Sequence, residues 1–273
     1  MKRNKSVFLS VPYIIWMVVF TLIPLGVVAY YALTDPSTGE FTMDNLKDLG
    51  MYLPVLGQSV LYSLASALIC LILGYPVAYY IAHRGPVAQK ILYMLVMLPM
   101  CMSFLLRTLA WVGLLQDTGI INNLLESLGL ARVQLIRTPG AVILGMVYNY
   151  LPYMILPLYA IIVKIDHRLI EAAEDLGCTP VQTFIKVVFP LSMPGILSGI
   201  TMVFVPAVST FYISQKLGGT DTVLIGDLIE RLFKQAANPN LGAALSLVLM
   251  ALVFVCTGIM NHFGGDEEGG VVV

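Results

Sequence analysis

Residues 170–195 read IEAAEDLGCTPVQTFIKVVFPLSMPG, and they interrupt a chain that is otherwise mostly apolar. Asp166 is placed to N-cap a helix just before this stretch, and Gly177 suits the left-handed conformation in which helices often end. Thr179 then begins the sequence TPVQ, a capping box with proline at the first helical position. Two prolines end this second helix. The stretch therefore predicts two short helices joined by a turn.

Both predicted helices are amphipathic, because their apolar residues recur at helical spacing. The predicted apolar faces consist of Leu169, Ala172, Ala173 and Leu176 in the first helix, and of Val181, Phe184, Ile185 and Val188 in the second. Residues 166–175 carry four acids against one arginine, whereas helices that lie on anionic lipid favour Lys and Arg. The charge therefore favours docking onto a protein over the alternative, anchoring on the membrane surface. The small residues Ala172, Ala173 and Gly177 would let a partner backbone approach closely.

The rest of the chain has the composition of a membrane protein. Of its 273 residues, 58% are hydrophobic and 11% are charged, whereas soluble domains carry about 25% charged residues. A spanning helix needs about 20 apolar residues. Six stretches satisfy this, at about 7–33, 57–82, 91–115, 140–163, 192–215 and 241–263. A net charge of −1 without a basic cluster excludes a nucleic-acid binder.

The spans predict an all-α membrane protein of one domain. Residues 1–6 form a cytoplasmic amino terminus, 7–263 form the membrane domain and 264–273 form a cytoplasmic tail. The first apolar run is much longer than the roughly 7 to 15 residues of a signal peptide, so we expect it to stay as a span. Lys and Arg are more frequent before this span than after it, which predicts that both termini are cytoplasmic. Two loops on the outer side contain possible short helices, MDNLKDL and INNLLESLGL.

No motif for catalysis or metal binding occurs in the sequence. The four cysteines have no nearby Cys or His at metal-ligand spacing and are interpreted as apolar filling. The three histidines, His83, His167 and His262, lie far apart in sequence, each at the edge of an apolar run. The phosphate-binding sequence G-x-x-x-x-G-K-[ST] is absent. An enzyme is therefore excluded, and any ATP must be hydrolysed on another polypeptide.

The sequence EAAEDLG, followed nine residues later by VVFP, resembles the EAA motif of ABC-importer permeases. Glu171, Ala172, Ala173, Gly177 and Pro190 match the motif, while Val187 and Phe189 replace its usual Ile and Leu. The sequences LGYPVAYYIA, LPYMILPLYA, PLSMPGILSG and FYISQKLGGTDTVLIGDLI extend the resemblance, and they look closest to the first permease subunit of spermidine/putrescine importers. We call residues 164–191 the coupling segment.

The resemblance implies a type I ABC-importer permease fold with cytoplasmic coupling helices, in the bacterial inner membrane. It also implies the residues that contact the ATPase: Leu169, Glu171, Ala172, Ala173, Asp175, Gly177, Thr179 and Pro180. The implied partners are two copies of an ATPase subunit, a second permease chain that completes a heterodimer, and an extracytoplasmic substrate-binding protein. The chain itself is expected to hold no cofactor, since ATP and magnesium belong to the ATPase. Another small solute as the substrate is the alternative.

An ion-coupled secondary transporter is the rival of a different class. Such carriers keep an ionisable residue inside the membrane, and the six predicted spans contain only Arg107 away from their edges. Arg107 is either a residue that extends to the outer interface or a gate that pairs with an acid on the second permease chain.

A polyamine path through these spans would have to use aromatic rings, because the spans contain no acids. Tyr148, Tyr150, Tyr153, Phe211 and Tyr212 are candidates for cation–π contacts with ammonium groups, and ordinary packing is the alternative for each of them. Acids at the outer mouth, including Asp227, would attract a cation or form a solvated rim. The sequence does not distinguish spermidine from putrescine.

Overall fold

The structure is a computed structural model that describes residues 12–35, 39–234 and 238–264. The predicted amino terminus, 1–6, and the tail beyond residue 264 lie outside the described residues. Within the described part the chain is helical almost throughout, with one isolated antiparallel bridge between Thr34 and Phe41. The described residues form two compact units, the first of 12–54 with 228–252 and the second of 55–227 with 253–264.

Twelve helices are used below. In chain order they are α1 (Pro12–Ala32), α2 (Leu53–Ala82), α3 (Pro86–Met97), α4 (Phe104–Leu115), α5 (Ile120–Ser127), α6 (Pro139–Ile162), α7 (His167–Asp175), α8 (Pro180–Leu191), α9 (Met193–Val208), α10 (Tyr212–Leu217), α11 (Ile225–Lys234) and α12 (Pro239–Gly264). The possible short helices of the two outer loops are confirmed, as a single turn at Asp44–Lys47 and as α5.

Five segments of the described chain are long and apolar enough to cross a membrane. They are Pro12–Ala32, Leu49–Ala82, Phe104–Ser127, Pro139–Ile162 and Pro239–Met260. The pair α8 and α9, which is bent by 63°, brings the number to six if it is taken as one span. Six spans are the number that the sequence predicts.

The third apolar stretch, 91–115, is predicted to be a single helix, but the structure divides it between α3 and α4. After α3 the chain forms a 3-10 turn, Leu98–Cys101, and Met102 is extended with ψ 149°. Pro99 lies inside this turn and has no N–H to continue an α-helix. The helix begins again only at Phe104. The fifth stretch, 192–215, is also interrupted, because α9 ends at Val208 and α10 begins at Tyr212.

The first unit joins the end of α1 to the start of α12. The last carbonyl oxygens of a helix have no hydrogen-bond donor within the helix. Two asparagine side-chain amides supply the missing donors here. The Nδ2 group of Asn45 donates to the carbonyls of Ala32 and Thr34 at 3.2 and 3.0 Å, and Asn240 Nδ2 donates to the Thr34 carbonyl at 2.6 Å. Below these bonds, Ala32 packs with Ala243 and Ala244.

The second unit is built around α6, which contributes many of the buried residues of its apolar core. Helix α9 packs tightly on α6, because two glycines remove side chains from the contact. A Cβ atom added at Gly199 would lie 2.6 Å from Met154 Sδ, and one added at Gly195 would lie 3.1 Å from Ile161 Cβ. This close packing fixes α9 and therefore the end of the coupling segment that leads into it.

Candidate functional site

Helix α7 begins and ends as the sequence predicts. The Asp166 carboxylate accepts a hydrogen bond from the backbone N–H of Arg168 at 3.0 Å, which is the predicted N-cap. Gly177 has φ +85°, a backbone conformation that is strained for residues other than glycine. Around it, the N–H of Cys178 donates to the Ala173 carbonyl at 3.0 Å and the N–H of Gly177 to the Glu174 carbonyl at 2.8 Å. This is the Schellman pattern of a helix end.

Helix α8 starts with the predicted capping box. The N–H of Thr179 donates to Gln182 Oε1 at 2.9 Å, and the N–H of Gln182 donates to Thr179 Oγ1 at 3.4 Å. Pro180 takes the first helical position, where a missing N–H costs nothing. The turn between α7 and α8 is therefore specified by local hydrogen bonds, and it holds the two helices in one geometry.

The coupling segment leaves several large apolar side chains exposed. Leu176, at the C-terminal end of α7, is 86% exposed, and three further residues share this exposure. We name these four residues the apolar docking surface: Leu169, Leu176, Val181 and Ile185. The acidic residues Glu171 and Asp175 are exposed beside it. An exposed apolar patch rimmed by polar groups is typical of a protein interaction site.

Two of the small residues play a different part from the one that the sequence suggests. Ala173 is 8% exposed, so its small side chain faces its own chain, and a partner backbone cannot approach it directly. Gly177 is required by its positive φ, and nothing lies within 4 Å of a Cβ added there. Ala172, by contrast, is exposed. The docking surface is therefore formed mainly by the larger side chains.

Aromatic contacts anchor α8 to α2. The ring of Phe184 lies edge-on to Tyr75, with centroids 5.4 Å apart, and edge-on to Tyr79 at 5.8 Å. Val188, one turn further along α8, is fully buried. The predicted apolar face of α8 thus divides, since Phe184 and Val188 pack inward while Val181 and Ile185 stay exposed. A displacement of α7 and α8 would be transmitted to α2 through these rings.

The candidate path residues fall into two groups. Tyr148, Tyr153 and Phe211 each have more than a third of their surface exposed. Tyr150 is buried and its hydroxyl donates to the Pro206 carbonyl at 3.3 Å. Tyr212 is half-buried, and its ring lies 6.3 Å from that of Phe104.

Asp227 lies in the interior, although the sequence places it at an outer mouth. It is 1% exposed, and Gln215 Nε2 donates to its Oδ1 at 2.8 Å. A carboxylate in this position is closed to solvent, so the structure disagrees with a solvated rim at Asp227. Gln215 has no predicted role, and no local pattern relates it to a residue twelve positions away.

Arg107 is buried and does not extend to an interface. The residue is 7% exposed, and its Nε and Nη1 atoms have no hydrogen-bond partner in the described part of the chain. The alternative in which Arg107 extends to the outer interface is therefore wrong. Leaving the Nε and Nη1 atoms of a buried guanidinium without partners costs free energy, and the gate that pairs with an acid on the second permease chain stays a prediction.

Two further groups of residues, a histidine pair and a row of serines, were not predicted from the sequence. His83 and His167 are 84 positions apart, yet their rings lie edge to face with centroids 5.8 Å apart. Ser59 Oγ accepts a hydrogen bond from the backbone N–H of Ile225 at 2.8 Å, and it begins a buried serine stripe on α2. The stripe does have a signal, because Ser59, Ser63 and Ser66 lie at helical spacing. The histidine pair has none, since only the tertiary fold brings it together.

Comparison with known proteins agrees with this geometry. Residues 71–265 match the family described as binding-protein-dependent transport system inner membrane component. The chain belongs to this family. It is 38% identical over 250 residues to the spermidine/putrescine transport system permease protein PotB of Haemophilus influenzae, with 87% of each chain covered. It is 37% identical to PotB of Escherichia coli K12, with 86% of this chain and 88% of the relative covered.

The fold is shared with solved structures of much lower sequence similarity. A chain of a bacterial ABC transporter involved in the import of the acidic polysaccharide alginate superposes with a TM-score of 0.81 at 21% identity, over 96% of both chains. A chain of the MetNI methionine ABC transporter gives a TM-score of 0.59 at 16% identity over 79% of this chain. The predicted ABC-importer permease fold, of type I, is confirmed.

Proposed function

We propose that this chain is the first permease subunit of an ATP-driven polyamine importer and forms half of its translocation path. The relatives in Haemophilus influenzae and Escherichia coli are named for spermidine and putrescine transport, and the similarity covers most of both chains. A second permease chain completes the path as a heterodimer. An extracytoplasmic binding protein delivers the polyamine. A solved alginate ABC transporter is likewise in complex with a periplasmic protein, which is bound to an alginate pentasaccharide.

The coupling segment transmits the movement of a separate ATPase. The strongest support is the apolar docking surface, which is exposed on two helices held together by local hydrogen bonds. Two ATPase subunits bind ATP and magnesium, because this chain contains no phosphate-binding loop of its own. When the ATPase pair closes, it displaces α7 and α8, and the aromatic anchors on α2 carry this displacement into the membrane domain. The chain itself is not an enzyme.

The docking assignment requires that both termini and the coupling segment lie on the cytoplasmic side. Lys2, Arg3 and Lys5 precede the first span and Lys47 alone lies in the loop that follows it, which agrees with the positive-inside rule. In a variant whose four native cysteines are replaced by serine, Ser6→Cys is expected to react with a membrane-impermeant thiol reagent only in inverted vesicles. Reaction in right-side-out cells would reverse the topology.

Polyamine ammonium groups meet aromatic rings along the path. Tyr148, Tyr153 and Phe211 are open in the structure, and each ring that stacks on a desolvated ammonium contributes roughly 1 to 2 kcal/mol. Tyr150, Tyr212 and Asp227 belong to the same path only in a conformation that opens their surroundings. Arg107 is the gate, and its counter-charge comes from an acid on the second permease chain.

Docking is tested by replacing Leu176 with arginine in the complete complex. The charge would sit in the middle of the apolar docking surface, so the ATPase subunits should no longer co-purify with the permease. Leu128 offers a matched control, since it also follows a helix as its C-cap residue and is 68% exposed, but it ends α5. Leu128→Arg should retain the ATPase. If both variants retain the ATPase equally, Leu176 does not lie in the surface that docks onto the ATPase.

The substrate is tested by uptake of labelled spermidine, putrescine and a neutral sugar into vesicles that contain the complete complex, its binding protein and ATP. We expect uptake of a polyamine and none of the sugar. Sugar uptake without polyamine uptake would refute the substrate and leave the architecture unaffected. Uphill transport by the purified permease without an ATPase would contradict the whole proposal.

A further inference from the structure

A cavity of about 310 Å³ lies between the end of α2 and the coupling segment. Three basic side chains contribute to its lining, His83 and Arg84 after α2 and His167 at the start of α7. Aliphatic side chains, among them Ile162, Ile165 and Ile170, complete the wall. None of the described residues that line the cavity is acidic. Its volume lies at the lower end of the range, roughly 300 to 1,000 Å³, that small-ligand sites occupy.

The basic groups are held in place without using a carboxylate. The His83 ring stacks on Tyr79 with centroids 4.1 Å apart, and its Nδ1 lies 2.9 Å from the Tyr79 carbonyl oxygen. A carbonyl only accepts, so Nδ1 carries the proton and donates it, and Nε2 stays available. The Arg84 guanidinium lies 4.2 Å above the Tyr80 ring.

The second imidazole completes the arrangement. His167 lies edge to face with His83, with centroids 5.8 Å apart. None of the three basic groups forms an ion pair with a carboxylate among the residues that the structure describes. The cavity therefore combines a permanent positive charge with two imidazoles that donate N–H groups when protonated, and none of its described lining residues is acidic.

We infer that this cavity binds a phosphate group. Guanidinium and imidazolium groups are strong donors to phosphate oxygens, and the isoleucine wall suits the carbon atoms attached to a phosphodiester. The cavity also lies where the long apolar helix α2 ends, at Ala82, and the end of an apolar span is where hydrocarbon gives way to lipid headgroups. The phosphate belongs either to an anionic phospholipid or to a free phosphate. A divalent metal on the two imidazoles is less favoured, because Arg84 would repel it.

Occupation of the cavity would affect coupling, and this consequence rests on the proposed function. The lining joins the end of α2 to His167 and Ile170 of α7 and to Val188 of α8. A phosphate held by His83, Arg84 and His167 would brace α7 against α2. The bound phosphate would then set how far α7 moves when the ATPase closes.

The binding claim is tested on the complete complex in nanodiscs that contain phosphatidylcholine and a minor fraction of phosphatidylglycerol. Native mass spectrometry counts the phosphatidylglycerol that stays bound after the nanodisc is stripped. The double variant Arg84→Gln, His167→Gln should lower this retention by about tenfold. The double variant Lys90→Gln, Arg168→Gln is a matched control, since both residues are exposed, each lies within six sequence positions of a cavity residue, and neither lines the cavity.

Four further outcomes decide whether the cavity binds free phosphate, lipid, a metal or none of these. In nanodiscs of phosphatidylcholine alone, titration with inorganic phosphate should protect Arg84 from a guanidinium-modifying reagent if free phosphate is the ligand. No protection, together with retention of phosphatidylglycerol, assigns the site to lipid. Equal lipid retention by both double variants without phosphate protection overturns the inference. Stoichiometric zinc that is lost with His167→Gln alone would replace phosphate by a metal.

Coupling is measured separately, as ATP hydrolysis stimulated by the polyamine-loaded binding protein. We expect the cavity variant to lose the dependence of this stimulation on phosphatidylglycerol, and the control variant to keep it. If the cavity variant loses bound lipid but its ATP hydrolysis is stimulated as before, the phosphate does not brace α7 against α2. The assignment of the cavity as a phosphate site would still hold. A wild-type complex that polyamine fails to stimulate would refute the proposed function, while the lipid count would still report on the cavity.

Discussion

The hydroxyl groups of Tyr75 and Ser192 lie 2.8 Å apart in the buried interior. Tyr75 belongs to α2, and Ser192 is the residue at which the chain bends between α8 and α9. Ser192 also donates to the Phe189 carbonyl at 2.8 Å, so Tyr75 is placed to donate to the serine. One hydrogen bond therefore ties the bend to a helix that is distant in sequence.

Tyr75→Phe should lower the free energy of unfolding by about 1 kcal/mol, because it leaves a buried hydroxyl without its partner. Polyamine uptake per ATP hydrolysed should also fall, since the bend is less firmly held. Thermal unfolding and coupled uptake assays provide the two measurements. Tyr93→Phe is the control, as the Tyr93 hydroxyl forms no hydrogen bond with the described residues. Equal effects of both changes would contradict a role for the bend.

Gly226→Ala should destabilise the protein strongly. A Cβ atom there would lie 2.5 Å from the Ser209 carbonyl oxygen and 2.7 Å from that of Thr210, and backbone atoms cannot rotate away as a side chain can. We expect a loss of about 2 kcal/mol or more, measured as a lower Tm. Gly113→Ala, in α4, has nothing within 4 Å of the added atom. It should leave the Tm unchanged or raise it slightly.

Arg107→Met should stabilise the isolated subunit by about 1 to 4 kcal/mol, because it removes a buried charge whose Nε and Nη1 have no hydrogen-bond partner among the described residues. In the complete complex the same change should destabilise, since an acid of the second permease chain would lose its counter-charge. Thermal unfolding of both preparations checks this. Arg168→Met, at an exposed position, should have little effect in either. Stabilisation in both preparations would refute the gate.

Gly177→Ala should cost about 1 to 2 kcal/mol, because alanine is strained at φ +85°. The helix end loosens, so the ATPase should bind the permease more weakly. Gly177→Asn should restore most of the binding, because asparagine tolerates the left-handed conformation. Affinity of the ATPase for the permease in nanodiscs is the measurement. Weak binding by both variants would indicate that the space beside Gly177 matters rather than its backbone.

The local geometry of the coupling segment could be predicted from the sequence, because its signals act over a few residues. The Asp166 cap, the glycine at 177 and the Thr179 capping box all lie within four residues of the groups that they satisfy. The apolar spans were equally accessible, since hydrophobic length is a property of consecutive residues. Local hydrogen bonding and length together predicted most of the fold.

The features that sequence reasoning missed depend on contacts between distant segments. Ala173 shares a predicted apolar face with Leu176, yet packing against the rest of the chain buries only the alanine. The break at Pro99 is the exception, because it is local: one missing N–H interrupts the helix without changing the hydropathy of the apolar run. The burial of Arg107 and the pairing of His83 with His167 arise only when the helices pack.

The bend of 63° between α8 and α9 gives the coupling segment a mechanical advantage. Helix α8 has twelve residues, Pro180–Leu191, and is therefore about 18 Å long at 1.5 Å per residue. If it pivots at Ser192, a rotation of about 10° moves its far end by about 3 Å. The same rotation displaces the first turn of α9 much less, because that turn lies beside the pivot. A large movement at the far end of α8 thus becomes a small displacement at the start of α9.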